Sequence, residues 1–182
     1  MTQRFGAATR PARRIFAALG SVLFFALAPG TVAGLIPWSL TGWRAHGPLP
    51  VRVLGIVVIV VGTAVVIDGF GRFVVQGVGT PAPVAPSERL VIGGAYRFVR
   101  NPIYLAVGAT ILGQALLLGR PVLLGYFLAF AAAVGAFVQL YEEPTLQRRF
   151  GNHYEQYRAS VPAWLPRLRP YRPAVEKPAG DD

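Results

Sequence analysis

Two short polar clusters in the amino-acid sequence have residue types that could together bind a zwitterion. The first is Arg100-Asn101-Pro102 and the second is Glu142-Glu143. Asn followed by Pro is typical of the cap and first residue of a helix, where free backbone N–H groups and the helix dipole attract a carboxylate or phosphate. Two adjacent carboxylates suit an ammonium group or ribose hydroxyls. These residues predict a site for an amino-acid moiety, provided that the fold brings the two clusters together.

The segment between the clusters predicts such a fold. The uncharged runs 101–119 and 121–141 are separated only by Arg120, between a Gly and a Pro. We therefore expect a tight antiparallel helical hairpin, in which residues equally far from the turn lie at the same depth. Arg100 and Asn101 then lie opposite Glu142 and Glu143. The alternative interpretation is that Arg100 and the two glutamates only neutralise each other across the hairpin.

The composition indicates that these helices lie in a membrane. Apolar residues make up 53% of the 182 residues and charged residues only 14%, whereas soluble domains contain about 25% charged residues. Charges are absent from 15–37, 53–67, 101–119 and 121–141. A bilayer core about 30 Å thick needs roughly 20 apolar residues per helix. The sequence predicts an all-α polytopic membrane protein with about four transmembrane helices.

The basic residues predict how these helices are oriented. All of the 18 Lys and Arg except Arg44, Arg52 and Arg120 lie in the termini or in the loop after the second span. The positive-inside rule then places both termini and the two polar clusters on the cytoplasmic side. The first apolar run also resembles a cleaved signal peptide that ends near Ala26-Leu27-Ala28. We favour a retained helix because apolar sequence continues to Ile36.

The chain divides by composition into five segments. Glu142–Ser160 has aromatic residues at helical spacing among arginines, which predicts an amphipathic helix at the membrane interface. Prolines after it predict an extended, mobile tail. The predicted segments are a basic cytoplasmic N-terminus (1–14), transmembrane helices 1 and 2 (15–76), a cytoplasmic Gly/Pro-rich loop (77–101), the hairpin and amphipathic helix that form the binding site (102–160), and the Pro-rich tail (161–182).

Other function classes are disfavoured by residue counts. The chain has no Cys, and its two His are His46 and His153, so a thiolate nucleophile and a Cys- or His-rich metal site are excluded. We expect no metal, and we expect His153 at the surface. The net charge of +10 flanks apolar spans and does not form a separate basic domain, so nucleic-acid binding is not expected.

Three parts of the sequence together resemble a known enzyme group. They are Gly94–Tyr104, Glu142-Glu143 and Phe150–Tyr157, within a similarity that covers about residues 77–166. The pattern resembles the isoprenylcysteine carboxyl methyltransferases and phospholipid methyltransferases, which are integral membrane enzymes. The chain departs from that pattern at Asn101, where the family has His, and at Ala106, where it has Gly. Asn removes a titratable base, and Ala puts a close helix contact in doubt.

The resemblance implies S-adenosylmethionine as the methyl donor and a lipophilic acceptor that enters from the bilayer. The acceptor would present a carboxylate or an amine of a lipid or isoprenoid-like molecule. Arg100 and Glu143 are the predicted catalytic residues, and Tyr154, Tyr157 and Arg158 the predicted acceptor-binding residues, with interfacial anchoring as the alternative for these three. The predicted cofactor-binding residues are Gly94, Tyr96, Arg100, Asn101, Pro102, Tyr104, Glu142 and Glu143.

Two non-enzymatic interpretations stay open from the sequence. A membrane binding or assembly module could retain the zwitterion site without turnover. A transporter would need polar residues along a path, and the apolar runs offer few, such as Thr63, Thr110, Gln114 and Gln139. The identity of the acceptor and the choice between O- and N-methylation leave no signature in the sequence.

Overall fold

The computed structural model describes residues 27–72 and 90–172, together with Leu23. The predicted N-terminus 1–14, much of the first apolar run, most of the Gly/Pro-rich loop and the last ten residues lie outside the described residues. Every regular element in the described ranges is helical, as predicted, and none is a strand. The elements are a π-helical turn (Thr31–Leu35), α1 (Ile36–Thr41), α2 (Leu49–Arg72), a 3₁₀ turn (Gly94–Arg97), α3 (Pro102–Leu118), α4 (Val122–Phe137), a second π turn (Val138–Glu142), α5 (Glu143–Phe150) and α6 (Asn152–Ser160).

Two helical stretches among the described residues are long and apolar enough to cross a membrane. They are Leu49–Arg72, which is α2, and Val122–Phe150, in which α4 continues through the second π turn into α5. This is fewer than the four spans predicted. Helix α3 has 17 residues, about 26 Å at 1.5 Å per residue, slightly short of a bilayer core. Much of the first predicted span lies outside the described residues.

Helices α2 and α3 pack antiparallel through glycines spaced seven residues apart on α2. A Cβ added to Gly55 would lie 2.6 Å from the backbone oxygen of Gly113, and one added to Gly62 would lie 2.8 Å from the backbone oxygen of Ala106. Gly69 is equally close to the Ile103 side chain. Small residues let membrane helices approach closely and gain van der Waals contact. Ala106 stands where the family pattern has Gly. The close contact at this position is still possible because the facing residue on α2, Gly62, has no side chain.

The helical stretch before α1 is held against α3 and α4 by two side-chain donors. Pro37 has no backbone N–H, so the carbonyl of Ala33 loses its helical partner. Gln114 Nε2 of α3 donates to that carbonyl at 2.6 Å, and the Tyr126 hydroxyl of α4 donates to the Val32 carbonyl at 2.8 Å. An unpaired carbonyl in an apolar environment is costly. These bonds thus fix the position of the π turn.

The tight turn between α3 and α4 is present as predicted. Gly119 ends α3 in the left-handed conformation (φ 61°), where glycine is strongly preferred. Leu123 N–H then donates to the Arg120 carbonyl as α4 begins. The two helices run antiparallel, and Phe127 and Phe130 of α4 pack on the core residues of α2 and α3.

The prediction of one amphipathic helix over Glu142–Ser160 is wrong. The stretch forms two helices, α5 and α6, because Gly151 takes φ 50° and ψ −128°, a backbone conformation outside the helical region. Tyr154, Tyr157 and Val161 are buried together against side chains that include Leu90 and Ile92. The two helices therefore form a small packed unit with residues 90–101.

The prediction of a mobile tail is wrong for residues 161–172. Arg167 N–H donates to the Phe98 carbonyl at 2.9 Å, and Tyr171 N–H donates to the Arg97 carbonyl at 2.8 Å. The Arg97 guanidinium returns a bond to the Tyr171 carbonyl at 2.8 Å. This segment has no helix or strand of its own, so its backbone N–H and carbonyl groups are available to the neighbouring segment.

Candidate functional site

Arg100 and Glu143 lie in direct contact at the end of the α3–α4 hairpin. Arg100 Nη1 is 2.9 Å from Glu143 Oε1, and the two side chains are only 12% and 14% exposed. The same Nη1 donates to the Tyr154 hydroxyl at 3.2 Å. The predicted proximity of the two polar clusters is thus confirmed. The contact also agrees with mutual neutralisation, so the ion pair alone does not distinguish a binding site from a structural pair.

Glu142 and Glu143 have different partners, and the helix changes pitch where they lie. Glu143 N–H bonds the Val138 carbonyl, five residues back, which defines the π turn. Pro144 lacks an N–H for the Leu140 carbonyl, so a regular α-helical bond is impossible there. Glu142 Oε2 accepts a 2.9 Å hydrogen bond from the Tyr104 hydroxyl of α3. Single π turns in helices are frequent at functional sites.

Asn101 occupies the cap position of α3 and Pro102 its first turn, as predicted. The Asn101 side chain does not cap the helix. Its amide donates to the Ala163 carbonyl at 3.2 Å, while the Arg100 N–H donates to the Pro162 carbonyl at 2.9 Å. The residue that replaces the family His therefore ties the helix start to segment 161–172. The N-terminal backbone of α3 lies beside the Arg100–Glu143 pair.

Gly94 and Tyr96 form one wall of the same region through the 3₁₀ turn. Gly94 has φ 57°, and a Cβ there would collide with the Arg72 guanidinium at the end of α2. Arg72 also forms an ion pair with Asp68, four residues earlier on α2, at 2.7 Å. Tyr96 is buried, and its carbonyl accepts a 2.6 Å bond from the Tyr157 hydroxyl. The eight predicted cofactor residues thus lie on the 3₁₀ turn, at positions 100 and 101 before α3, in the first turn of α3, or at the junction of the second π turn with α5.

Tyr154 and Tyr157 are buried side chains of α6, which contradicts interfacial anchoring for both. Burial raises the pKa of Tyr154, with a smaller contribution from Glu143 in the same direction, and burial also raises the pKa of Tyr157. Both hydroxyls therefore stay protonated and can donate. Arg158 is 54% exposed and lies 3.3 Å from Glu143 Oε2. Tyr157 supports the 3₁₀ turn through its hydrogen bond to the Tyr96 carbonyl. Tyr154 and Arg158 contact the Arg100–Glu143 pair.

We expect Tyr157→Phe to destabilise the protein by about 1–3 kcal/mol, because it leaves the buried Tyr96 carbonyl without this donor. Thermal unfolding of the detergent-solubilised protein measures the change. Tyr141→Phe is a matched control, since Tyr141 is largely exposed and stacks on Phe137. Equal stability of the two variants would remove Tyr157 from its supporting role.

The sequence interpretation missed the residues of segment 161–172 that hold the start of α3 in place. Segment 161–172 contributes the carbonyls of Pro162 and Ala163 and pairs with residues 97 and 98. Arg97 and Tyr171 form a reciprocal contact across 74 positions. No local spacing signals such a pairing, since extended segments with prolines resemble ordinary linkers. His153 is exposed, as predicted.

The residues at this site fit the amino-acid part of S-adenosylmethionine. Arg100 Nε is buried and has no hydrogen-bond partner within the described residues. A buried donor of this kind is costly unless something accepts from it. A carboxylate beside Arg100 would satisfy it, and Glu142 or Glu143 would accept from an ammonium. Within the described residues, no group of His, Cys, Asp and Glu could hold a metal ion.

A family model described as phospholipid methyltransferase matches residues 51–153, which is more than half of the chain. The match begins in α2 and ends in α6, so it includes most of the residues around the Arg100–Glu143 pair. Neither the comparison with curated proteins nor the comparison with solved structures found a match.

Proposed function

Because the chain belongs to the phospholipid methyltransferase family, we propose that it transfers a methyl group from S-adenosylmethionine to a lipophilic acceptor in the membrane. The acceptor carries a carboxylate or an amine, as in a lipid or an isoprenoid-like molecule. The observation that carries the proposal is the buried Arg100–Glu143 pair, in which Arg100 Nε has no hydrogen-bond partner among the described residues. A carboxylate ligand beside Arg100 would give this donor a partner.

In this proposal, opposite charges of the site hold the two ends of the methionine moiety. Arg100 and the N-terminus of α3 bind the α-carboxylate, since both present N–H donors and positive charge. Glu142 or Glu143 binds the α-ammonium or the ribose hydroxyls. Tyr96, Pro102 and Tyr104 pack against the ligand, and Gly94 leaves room for close backbone approach. S-adenosylmethionine supplies a methyl group on a sulfonium centre that already has its leaving group.

The protein then has to align the acceptor and, for an amine, accept a proton. A carboxylate acceptor needs no base. Glu143 contacts two guanidiniums, those of Arg100 and Arg158, so both of its oxygens already have charged partners. Among the residues that the structure describes, the side chain hydrogen-bonded to Glu142 is the neutral Tyr104 hydroxyl. Glu142 is therefore the better proton acceptor, and Glu143 serves to orient Arg100.

The packing around the site supports exclusion of water during transfer. Asn101, Tyr96, Tyr154 and Tyr157 are all buried around the ion pair. Charges interact more strongly where water is excluded, and alignment in a dry cavity lowers the barrier to in-line attack. The excess of basic residues at this end of the hairpin favours a cytoplasmic location for the site.

The enzymatic proposal is tested by methyl transfer. Purified protein in detergent is incubated with native lipid extracts and S-adenosylmethionine labelled in its methyl group. We expect label in the lipid fraction, and we expect Tyr104→Phe to lower the rate while Tyr141→Phe leaves it unchanged. Tyr104 donates to Glu142, whereas Tyr141 is largely exposed. Equal rates for the two variants would remove Glu142 and Tyr104 from the reaction.

The second candidate is a binding or assembly module that keeps the zwitterion site. The Arg100–Glu143 contact favours it to the extent that the pair is already neutral without a ligand. Binding of S-adenosylmethionine without transfer to any lipid extract would support this module and contradict the enzyme.

A further inference from the structure

A cavity lies between the helical stretch 29–34, α2 and α3. Its volume is about 640 Å³, within the usual range of roughly 300–1,000 Å³ for small-molecule sites. Most of its wall is apolar. Polar side chains in the wall are Arg52, Thr63, Thr110 and Gln114. The first two lie on α2 and the other two on α3.

Two buried polar atoms of the cavity wall have no hydrogen-bond partner within residues 27–72 and 90–172. Arg52 Nε is a donor and Gln114 Oε1 is an acceptor. The Gln114 side chain is only 7% exposed, and its Nε2 is already used by the Ala33 carbonyl. Because buried polar groups in folded proteins are nearly always paired, this cavity calls for a ligand with one acidic group and one hydrogen-bond donor.

The packing of α2 on α3 gives the relative depth of these two atoms. Gly55 lies level with Gly113 and Leu117 of α3, so Arg52 is at the end of the bundle near the Gly119 turn. Gln114 is about one helical turn deeper, or roughly 5 Å. The wall then continues in apolar residues as far as Val66 and Val107. From the bundle end inwards, the order is therefore a cation, an acceptor and a hydrocarbon-lined space.

We propose that this cavity is a second lipid site, which binds an anionic monoacyl glycerophospholipid. The phosphate contacts Arg52, a glycerol hydroxyl donates to Gln114 Oε1, and the acyl chain extends between the helices to Val66 and Val107. Trp43 lines the cavity and is 58% exposed, as suits an aromatic side chain that contacts lipid headgroups.

This site is separate from the proposed methyl-transfer site. Arg52 lies level with the last turn of α3, whereas Arg100 precedes its first residue, so the two cations are about 25 Å apart along the helix axis. A phosphate at Arg52 cannot reach the Arg100–Glu143 pair. The lipid bound here thus serves the fold at the opposite membrane face and is not the methyl acceptor.

Trp43 provides a direct readout of this proposal. In the full chain carrying Trp38→Phe and Trp164→Phe, Trp43 is the sole tryptophan. The protein in neutral detergent is titrated with lysophosphatidylglycerol that carries bromine atoms on its acyl chain, which quench tryptophan fluorescence. We expect quenching that saturates with the lipid concentration. An uncharged monoacylglycerol with the same brominated chain should need a half-saturating concentration at least about ten-fold higher than the charged lipid does.

Substitutions in the cavity wall distinguish specific binding in the cavity from partitioning of the brominated lipid into the detergent micelle. Arg52→Gln should raise the half-saturating concentration about ten-fold. Arg120→Gln is the matched control, because Arg120 lies at the same end of the bundle but does not line the cavity. Gly34→Leu places a side chain into open space in the cavity wall and should abolish saturation.

Three results would overturn the proposal. One is equal quenching by the charged and uncharged lipids, and another is equal behaviour of Arg52→Gln and Arg120→Gln. The third is quenching that Gly34→Leu leaves intact, a result that stays informative if Arg52→Gln fails to fold. Methyl-transfer activity is measured separately, so a failure here leaves the function proposed for the Arg100 site unaffected.

Discussion

Arg100→Lys is expected to weaken S-adenosylmethionine binding about ten-fold to a hundred-fold while the protein stays folded. Lysine keeps the positive charge and can still approach Glu143. It has a single ammonium group, so it cannot contact Glu143 and Tyr154 and also replace the buried Nε donor. Loss of a hydrogen bond to a charged group costs about 1.5–3 kcal/mol, which corresponds to this range of affinity. Calorimetric titration of the detergent-purified protein measures it.

The matched control for this substitution is Arg149→Lys. Arg149 is exposed on α5 and lies over the Phe150 ring, away from the ion pair. Its replacement should leave the affinity for S-adenosylmethionine unchanged within about two-fold, since exposed charges contribute little. If both variants bound like the wild type, Arg100 would be a structural partner of Glu143 and no more.

Gly55→Ala should destabilise the helix pair α2–α3 by about 1–3 kcal/mol, the usual cost of overpacking a tight contact. The new methyl group would lie 2.6 Å from both the Gly113 oxygen and the Leu117 nitrogen. These are backbone atoms, so no rotamer change relieves the overlap and the two helices must separate. Thermal unfolding in detergent measures the loss. Because α3 carries Pro102 and Tyr104, methyl transfer should fall as well.

Gly135→Ala is the matched control on α4. A Cβ at Gly135 meets no atom within 4 Å, and alanine has the higher helix propensity by about 1 kcal/mol. This variant should therefore be as stable as the wild type or slightly more so. A Gly55→Ala protein that unfolded at the same temperature as Gly135→Ala would show that α2 and α3 do not pack as described.

The hairpin and the charge pairing could be predicted from the sequence because both depend on local rules. Uncharged runs give the helices, and a Gly-Arg-Pro turn leaves no room for another topology. Residues equally distant from that turn then meet, which brings Arg100 to Glu143. The partner of Glu142 was harder to predict from the sequence, because the π turn at Val138–Glu142 changes the direction in which this side chain points. The sequence signal for that π turn is Pro144.

The pairing of segment 161–172 and the cavity between the helical stretch 29–34, α2 and α3 could not be predicted, because both depend on contacts between distant parts of the chain. Pro162 and Ala163 contact Arg100 and Asn101 through backbone carbonyls, which every residue has. The same holds for the carbonyls of Val32 and Ala33, which accept hydrogen bonds from the side chains of Tyr126 and Gln114. In contrast, the glycines at 55, 62 and 69 did carry a signal. Their seven-residue spacing places them on one helix face, where small residues favour close packing.

The central claim is that the residues around Arg100 and Glu143 bind S-adenosylmethionine, and photo-crosslinking tests it most directly. The purified protein is irradiated with S-adenosylmethionine that carries a photoreactive diazirine on the methylene chain of its methionine part, with the α-carboxylate and α-ammonium left free, and the labelled peptides are identified by mass spectrometry. The account predicts label within residues 94–104 or 142–158, lost when unmodified S-adenosylmethionine is in excess. Competed label confined to other peptides, such as those around Arg52, would contradict it.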